Sequence, residues 1–389
     1  MSMRKFNLGF SIIELMIGLS IGLVLVAAMV ALYSTQAASY RQIEALARMQ
    51  ESARYAFEIM GYDIRMAGNW TCYVPGQAVP ANYSPTNYLN NPANNWWTHT
   101  ARPLFGVAET ADGNAAGDAG FPADFSANAL RGDTVMVLRA SQDSQHVEVG
   151  PAANSYILDA NAIPVNQVIG SNFADGSLLV LTDCRFQSAV FQASDIGGAI
   201  GGSDYSIQHG SGAPPTPGNC QSHLNAGGSC AAVGTTQDVT GARVYPLLAH
   251  AYYLRNSPRR YANSNLNIPS LYRQALTTSG GNANTTAEEL VDGVIDMQVR
   301  YGVDTSVNPD RQIDSYLPAS QVVGPGVPGA NEEERWRRVL AVRVTLTLES
   351  TENNLATANQ LYTYFNGANV NDRRLRRQYT ATFGIRGRL

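Results

Sequence analysis

Gly9-Phe10-Ser11-Ile12-Ile13-Glu14, preceded by Arg4-Lys5 and followed by Leu15-Met16-Ile17-Gly18-Leu19-Ser20-Ile21-Gly22-Leu23-Val24-Leu25-Val26-Ala27-Ala28-Met29-Val30-Ala31-Leu32-Tyr33, sets the organisation of the whole chain. A basic head leads into an apolar run interrupted only by Ser11, Glu14, Ser20 and glycines. The run is long enough to cross a hydrocarbon core of ~30 Å, which takes about 20 helical residues. An ordinary secretory signal has a shorter core that ends at a small-residue cleavage site, whereas this run grades into further helical pattern. A plain membrane anchor fits the length but gives no role to Glu14. A lone ionised side chain at membrane depth costs about 2.5–3.5 kcal/mol, so Glu14 calls for a partner, and the sequence offers none nearby.

These residues resemble the class III signal of type IV pilins and of the related secretion pseudopilins. The resemblance implies that a prepilin peptidase cuts between Gly9 and Phe10 on the cytoplasmic side and methylates Phe10. It also implies a partner for Glu14. A new α-amine ordinarily titrates near 8 and is largely cationic at neutral pH, so Glu14 of one subunit would neutralise Phe10 of its neighbour in a packed helical bundle.

Composition sets further bounds. The 389 residues are 44% hydrophobic and 15% charged, enough for a sizeable core. Losing Arg4 and Lys5 with the leader takes the formal charge from −4 to −6, a balance that argues against nucleic-acid binding. Lys5 is the only lysine, which excludes a Schiff-base or P-loop lysine from the mature chain. The basic head puts the remainder outside the cytoplasm, where disulfides persist. The four cysteines, Cys72, Cys184, Cys220 and Cys230, allow three pairings. The short Gly-rich loop between Cys220 and Cys230 favours a local bridge, leaving Cys72 with Cys184. Their spacings match no zinc pattern.

Helical periodicity continues past Tyr33, with Ile43, Leu46, Ala53, Phe57, Met60 and Ile64 on one face, and no proline precedes Pro75. One helix is therefore expected over residues 10–66, spanning the membrane over about 10–33 and lying against a globular domain over its second half. That domain, 67–389, reads as β-rich. Residues 70–132 read as loops in which Trp96 and Trp97 pin the chain to the body, and Arg131-Gly132-Asp133 as a turn into the strand Thr134-Val135-Met136-Val137-Leu138. Further strands are expected at Ser155–Leu158, Ser177–Thr182, Ser188–Gln192, Tyr245–Leu254, Val294–Tyr301, Val339–Leu348 and Gln378–Ile385. Residues 196–230 read as a Gly-rich insertion, and Ala287-Glu288-Glu289-Leu290-Val291 as a short helical turn.

The five histidines are scattered, and neither a G-x-S-x-G elbow nor a P-loop occurs, so no enzymatic activity is expected. Two acidic stretches raise the question of calcium: Asp112 to Asp118, and Asp304 with Asn308, Asp310 and Asp314. Neither has the EF-hand's closing glutamate, and solvated turns are the favoured reading, with no cofactor expected. Asp372-Arg373-Arg374-Leu375-Arg376-Arg377 is the densest charge cluster and reads as a solvated strand edge.

Glu289-Leu290-Val291-Asp292-Gly293-Val294, Val299-Arg300-Tyr301-Gly302-Val303-Asp304, Trp336-Arg337-Arg338-Val339, Arg373-Arg374 and the helix end Met60-Gly61-Tyr62-Asp63-Ile64-Arg65-Met66-Ala67-Gly68 resemble the PilW family of type IV minor pilins. The resemblance implies an α+β, pilin-like fold: a long N-terminal helix packed on an antiparallel β-sheet domain with loop insertions. It implies a structural subunit of the minor-pilin complex that primes pilus assembly and sits at or near the tip. Its partners would be other minor pilins, the major pilin, the prepilin peptidase, the inner-membrane assembly platform and a tip adhesin. Before assembly the protein would sit in the inner-membrane lipid with its C-terminal domain in the periplasm, and afterwards in the extracellular pilus. The alternatives are a J-class pseudopilin of type II secretion, disfavoured by the chain's length, and an adhesin or ligand-binding module on the same anchor.

Overall fold

The computed structural model describes residues 11–70, 85–92, 95–108, 130, 132–152, 155–159, 173–182, 188–200, 204–212, 214–222, 224, 229–232, 242–262, 264–363 and 369–388. It is an α+β structure in which one long helix, α1 (Ile12–Arg65), leads into a β-rich domain.

The strands are β1 (Thr86–Asn87), β2 (Leu104–Val107), β3 (Thr134–Ala140), β4 (Gln145–Ala152), β5 (Ser155–Asp159), β6 (Leu178–Thr182), β7 (Ser188–Gln192), β8 (Asp195–Ile200) and β9 (Asp204–Gln208). They continue with β10 (Arg243–Arg260), β11 (Asn267–Ser279), β12 (Asn282–Asp292), β13 (Val294–Val303) and β14 (Ser315–Leu317). After the short helices α2 (Ala319–Val322) and α3 (Glu332–Arg337) come β15 (Val339–Glu349), β16 (Gln360–Thr363), β17 (Asn369–Asp372) and β18 (Arg376–Gly384).

The 18-residue β10 is the spine of the large sheet. Its start pairs antiparallel with β6, its middle with β3 and its second half with β11. A second, antiparallel sheet has the order β14-β13-β15-β18. The main core gathers the domain half of α1, β3, β10, β13 and β15 around Met60, Tyr252, Tyr301, Trp336 and Val344. A smaller core holds Tyr88, Phe173, Leu179, Phe191, Ile207 and Val244.

Several expectations are corrected. Residues 287–291 are not a helical turn. They belong to β12, paired with β11 across the Gly280-Gly281 turn, both glycines at positive φ. Cross-strand partners such as Arg273 and Glu288, 2.6 Å apart, override a weak local helical preference. Residues 196–230 are not simply an insertion, because they contain the end of β8 and all of β9. The Trp-rich stretch instead behaves as expected: Trp96 and Trp97, with Trp70, are buried in the main core and pin the chain to the body. On α1, Ile43 is exposed, and the buried stripe is Met49, Ala53, Ala56, Met60 and Ile64. β11, like β2 and β4, has no counterpart among the strands expected from the sequence.

Candidate functional site: the long N-terminal helix and its dock

α1 begins with a capping box. Ser11 Oγ accepts the Ile13 N–H at 3.3 Å, and Glu14 Oε2 accepts the Ser11 N–H at 3.4 Å. Two amides that would otherwise lack partners at the helix start are thereby engaged. Beyond the cap the apolar side chains from Ile12 to Tyr33 are exposed, and α1 is long and apolar enough to cross a membrane. Ser20 Oγ donates back to Met16 O at 2.8 Å, which satisfies its hydroxyl within the helix. Glu14 is thus the one ionisable side chain between Ile12 and Tyr33. Gly9 and Phe10 lie outside the described residues.

The same helix then docks on the domain. The first contact is Gln42, whose Nε2 donates to Leu355 O. Further along, Gly61 lies against Phe383 of β18. A Cβ added at Gly61 would fall 2.5 Å from the ring, so only glycine permits this approach. Phe57 packs on the same ring with centroids 6.2 Å apart, and the Arg65 guanidinium sits 5.6 Å over it.

The dock is fixed by Asp63, which is buried. Arg139 on β3 donates its Nε–H to Asp63 Oδ1 at 3.0 Å, and its Nη2 lies 2.9 Å from the same oxygen. Tyr252 donates its hydroxyl to Oδ2 at 2.5 Å, and His250 Nδ1 also lies 2.5 Å from Oδ2. Strand register explains the convergence. Arg139 is opposite Leu248, so it shares a face with His250 and Tyr252 two and four positions along β10. Burial pushes the Asp63 carboxyl up, but the His250 hydrogen bond and charge, the Arg139 charge and the Tyr252 hydrogen bond outweigh it and hold the group at about 2. Burial, together with the Asp63 charge, pushes the Tyr252 phenol well above its usual value.

No motif pointed to this cluster. The signal that could have revealed it is Asp63 itself, an acid next to Ile64 on the helix's apolar stripe, where a carboxylate needs buried partners.

The remaining candidate residues sit elsewhere. Cys220 and Cys230 form a disulfide, whereas Cys72 and Cys184 lie outside the described residues. So do Arg131 and the stretch Asp112 to Asp118. Asp133 points inward and accepts the Val299 N–H at 2.7 Å. Asp304 Oδ2 accepts the amides of Asp310 and Arg311, each at 3.0 Å, and its Oδ1 accepts that of Ser306. Asp314 Oδ2 accepts from the Thr305 amide and hydroxyl. These carboxylates organise the loop by binding N–H groups. Among the described residues, no three His, Cys, Asp or Glu side chains are grouped to hold a metal ion.

The arginine cluster at 372–377 is not a solvated edge. Arg376 is paired with Glu349 at 2.9 Å and with Asp372 at 3.0 Å. Arg374 is buried over the Tyr261 ring and donates to Ser350 O and Thr351 O. Burying a carboxylate such as Glu349 demands charged partners, and those arginines supply them.

No curated protein and no solved structure matches the chain. Residues 251–387 match the family model described as type IV pilus-assembly protein W, a region that runs from within β10 past β18 and holds the whole four-stranded sheet. Over that C-terminal region, about a third of the chain, the protein is similar to the PilW family of type IV pilus-assembly proteins.

Proposed function

We propose that this protein is a minor pilin: a non-enzymatic subunit stored in the inner membrane by α1 and drawn into the complex that primes pilus assembly at the tip. The observation that carries the reading is the exposed apolar half of α1, continuous with a half that is rigidly docked through Asp63 and Gly61. A helix of this kind stores the subunit in lipid and can exchange lipid for neighbouring apolar helices without unfolding the domain. In this reading the prepilin peptidase cuts after Gly9, Phe10 becomes the methylated N-terminus, and Glu14 leaves its own cap to pair with the Phe10 amine of a neighbouring pilin. Other minor pilins, the major pilin, the assembly platform and a tip adhesin are the partners, and no catalytic centre or cofactor is needed.

Mass spectrometry of the mature protein, together with immunoblotting of sheared pili, tests this. The expected result is a methylated Phe10 N-terminus and a small amount of the chain in the filament fraction. An uncut Met1 terminus, or a chain found only among the pseudopilins of a secretion system, would overturn it.

A further inference from the structure

The outward face of the four-stranded sheet breaks a rule of strand pairing. Arg300 of β13 and Arg343 of β15 stand directly opposite each other, although like charges in that position destabilise a sheet. Arg300 is offset by Asp133, 3.3 Å away. Arg343 has no carboxylate partner among the described residues and is exposed. It is nevertheless held in place: its guanidinium lies 3.8 Å from the centroid of the Tyr316 ring, and its Nε–H points to Thr382 Oγ1 at 3.4 Å. Tyr316 in turn lies over Gly302, where an added Cβ would come within 3.1 Å of its ring and of Ile313, a tight fit that glycine relieves. The sheet thus fixes a guanidinium fork facing solvent and leaves its charge without a counter-ion, a departure from local consistency of the kind expected at functional sites.

The surroundings indicate what would meet it. Around Arg343 the same face carries Thr345, Thr380, Thr382, Gln298 and Gln378, and Thr345 and Thr380 join hydroxyls at 2.9 Å across the strands. A small anion is normally held in a concave site, whereas here polar side chains on neighbouring strands surround one Arg-on-Tyr platform on an open sheet face. That is the anatomy of a protein interface, with an Arg and Tyr anchor at the centre and a hydrogen-bonding rim.

We propose that this face is the contact surface for an acidic patch on another protein subunit, with an Asp or Glu carboxylate of that subunit bound bidentately by Arg343. The proposal rests on the pilus reading, in which the partner is a neighbouring subunit of the filament or priming complex.

The experiment expresses the full-length chain carrying Arg343→Glu or Arg343→Lys in a strain lacking the native copy. It measures membrane level, Cys220–Cys230 oxidation and the amount in sheared pili. The expected result is normal membrane level and oxidation, with recovery in pili lowered at least tenfold for Arg343→Glu and severalfold for Arg343→Lys, which keeps charge but loses the fork. Thr380→Glu, which puts a carboxylate on the same face diagonal to Arg343 where it competes with a partner's carboxylate, is expected to lower recovery as well and keeps the test decisive if Arg343→Glu fails to accumulate. Wild-type recovery of the variants overturns the proposal. So does normal recovery combined with lost retention on polygalacturonate beads, which would assign the face to an acidic polysaccharide. If the unmodified chain never enters sheared pili, the pilus reading itself fails.

Discussion

Asp63 of the helix and Arg139 of the sheet form a buried ion pair, with two guanidinium nitrogens at 3.0 and 2.9 Å from one carboxylate oxygen. It is the polar rivet between the second half of α1 and the domain that follows. A buried pair of this kind adds little net stability over an apolar substitute, but breaking it by removing one partner costs about 3–5 kcal/mol. Asp63→Ala in the full chain in detergent is therefore expected to lower the thermal midpoint strongly, because Arg139 is left buried without its counter-charge. The double variant Asp63→Leu with Arg139→Met is expected to recover a large part of the loss. A single variant as stable as the parent would show that the dock rests on apolar packing alone.

The same carboxylate fixes a pH dependence. Its folded-state value is held at about 2, below the ordinary 3.8. A depressed carboxylate contributes stability that is complete above its unfolded value and is lost as pH falls toward its folded one. Asp63 is thus expected to contribute on the order of 2 kcal/mol near neutral pH and to lose it between about pH 4 and pH 2. Denaturant titrations of the parent and of Asp63→Asn over that window measure it. The difference between the two curves should shrink as the pH drops, and a constant difference would exclude Asp63 as the titrating group.

Gly61 gives a steric counterpart. Because an added Cβ would meet the Phe383 ring at 2.5 Å, Gly61→Ala is expected to destabilise the dock by about 1–3 kcal/mol despite alanine's better helix propensity. Phe383→Leu should relieve part of that penalty when combined with it. Calorimetry on the four proteins of the cycle decides the matter, and additive effects would show that the two residues do not share the strain.

How far all this was legible follows from which signals are local. α1 reads directly from the sequence because an unbroken apolar run and an absence of proline up to Pro75 are properties of consecutive residues. β13 and β15 announce themselves by alternation and β-branched residues. β12 did not. Its Ala-Glu-Glu-Leu sequence favours a helix locally, and only pairing with β11 makes it a strand. The 372–377 cluster misled in the same way, since its neutralising Glu349 lies on another strand. Asp63 stands in the helix-end motif Met60-Gly61-Tyr62-Asp63-Ile64-Arg65-Met66-Ala67-Gly68, which gives it no role. Its three partners come from β3 and β10, which are distant in sequence, and register alone brings them together.

The disulfide makes a different prediction, because it fastens the periphery and not the dock. Cys230 lies beside Leu89 O at 3.7 Å, and Cys220 packs against the smaller core. Replacing both cysteines by serine opens a ten-residue separation and is expected to cost about 2–3 kcal/mol, felt in that smaller core. Hydrogen exchange should show faster opening of β6 and β7 in the variant, with α1 from Met49 to Ile64 unchanged. Equal loosening of α1 would mean that the two cores unfold as one unit.

Glu14 separates two roles that alanine alone confounds. In the free subunit its carboxylate closes the capping box on the Ser11 amide, so Glu14→Ala removes a cap as well as a charge. Losing that half of the capping box frays the first turn, a second route by which alanine weakens assembly. Glutamine keeps the box, since its side-chain oxygen accepts the same N–H, but it cannot neutralise the Phe10 amine of a neighbour. If charge pairing is what Glu14 supplies, Glu14→Gln should reach the membrane and be cut after Gly9 as the parent is, yet enter sheared pili as poorly as Glu14→Ala. If the cap is what matters, Glu14→Gln should assemble normally and only Glu14→Ala should fail. Membrane level, N-terminal mass and filament recovery of the two variants side by side tell these apart. Normal piliation by Glu14→Gln would remove the charge-pairing mechanism while leaving the rest of the minor-pilin assignment standing.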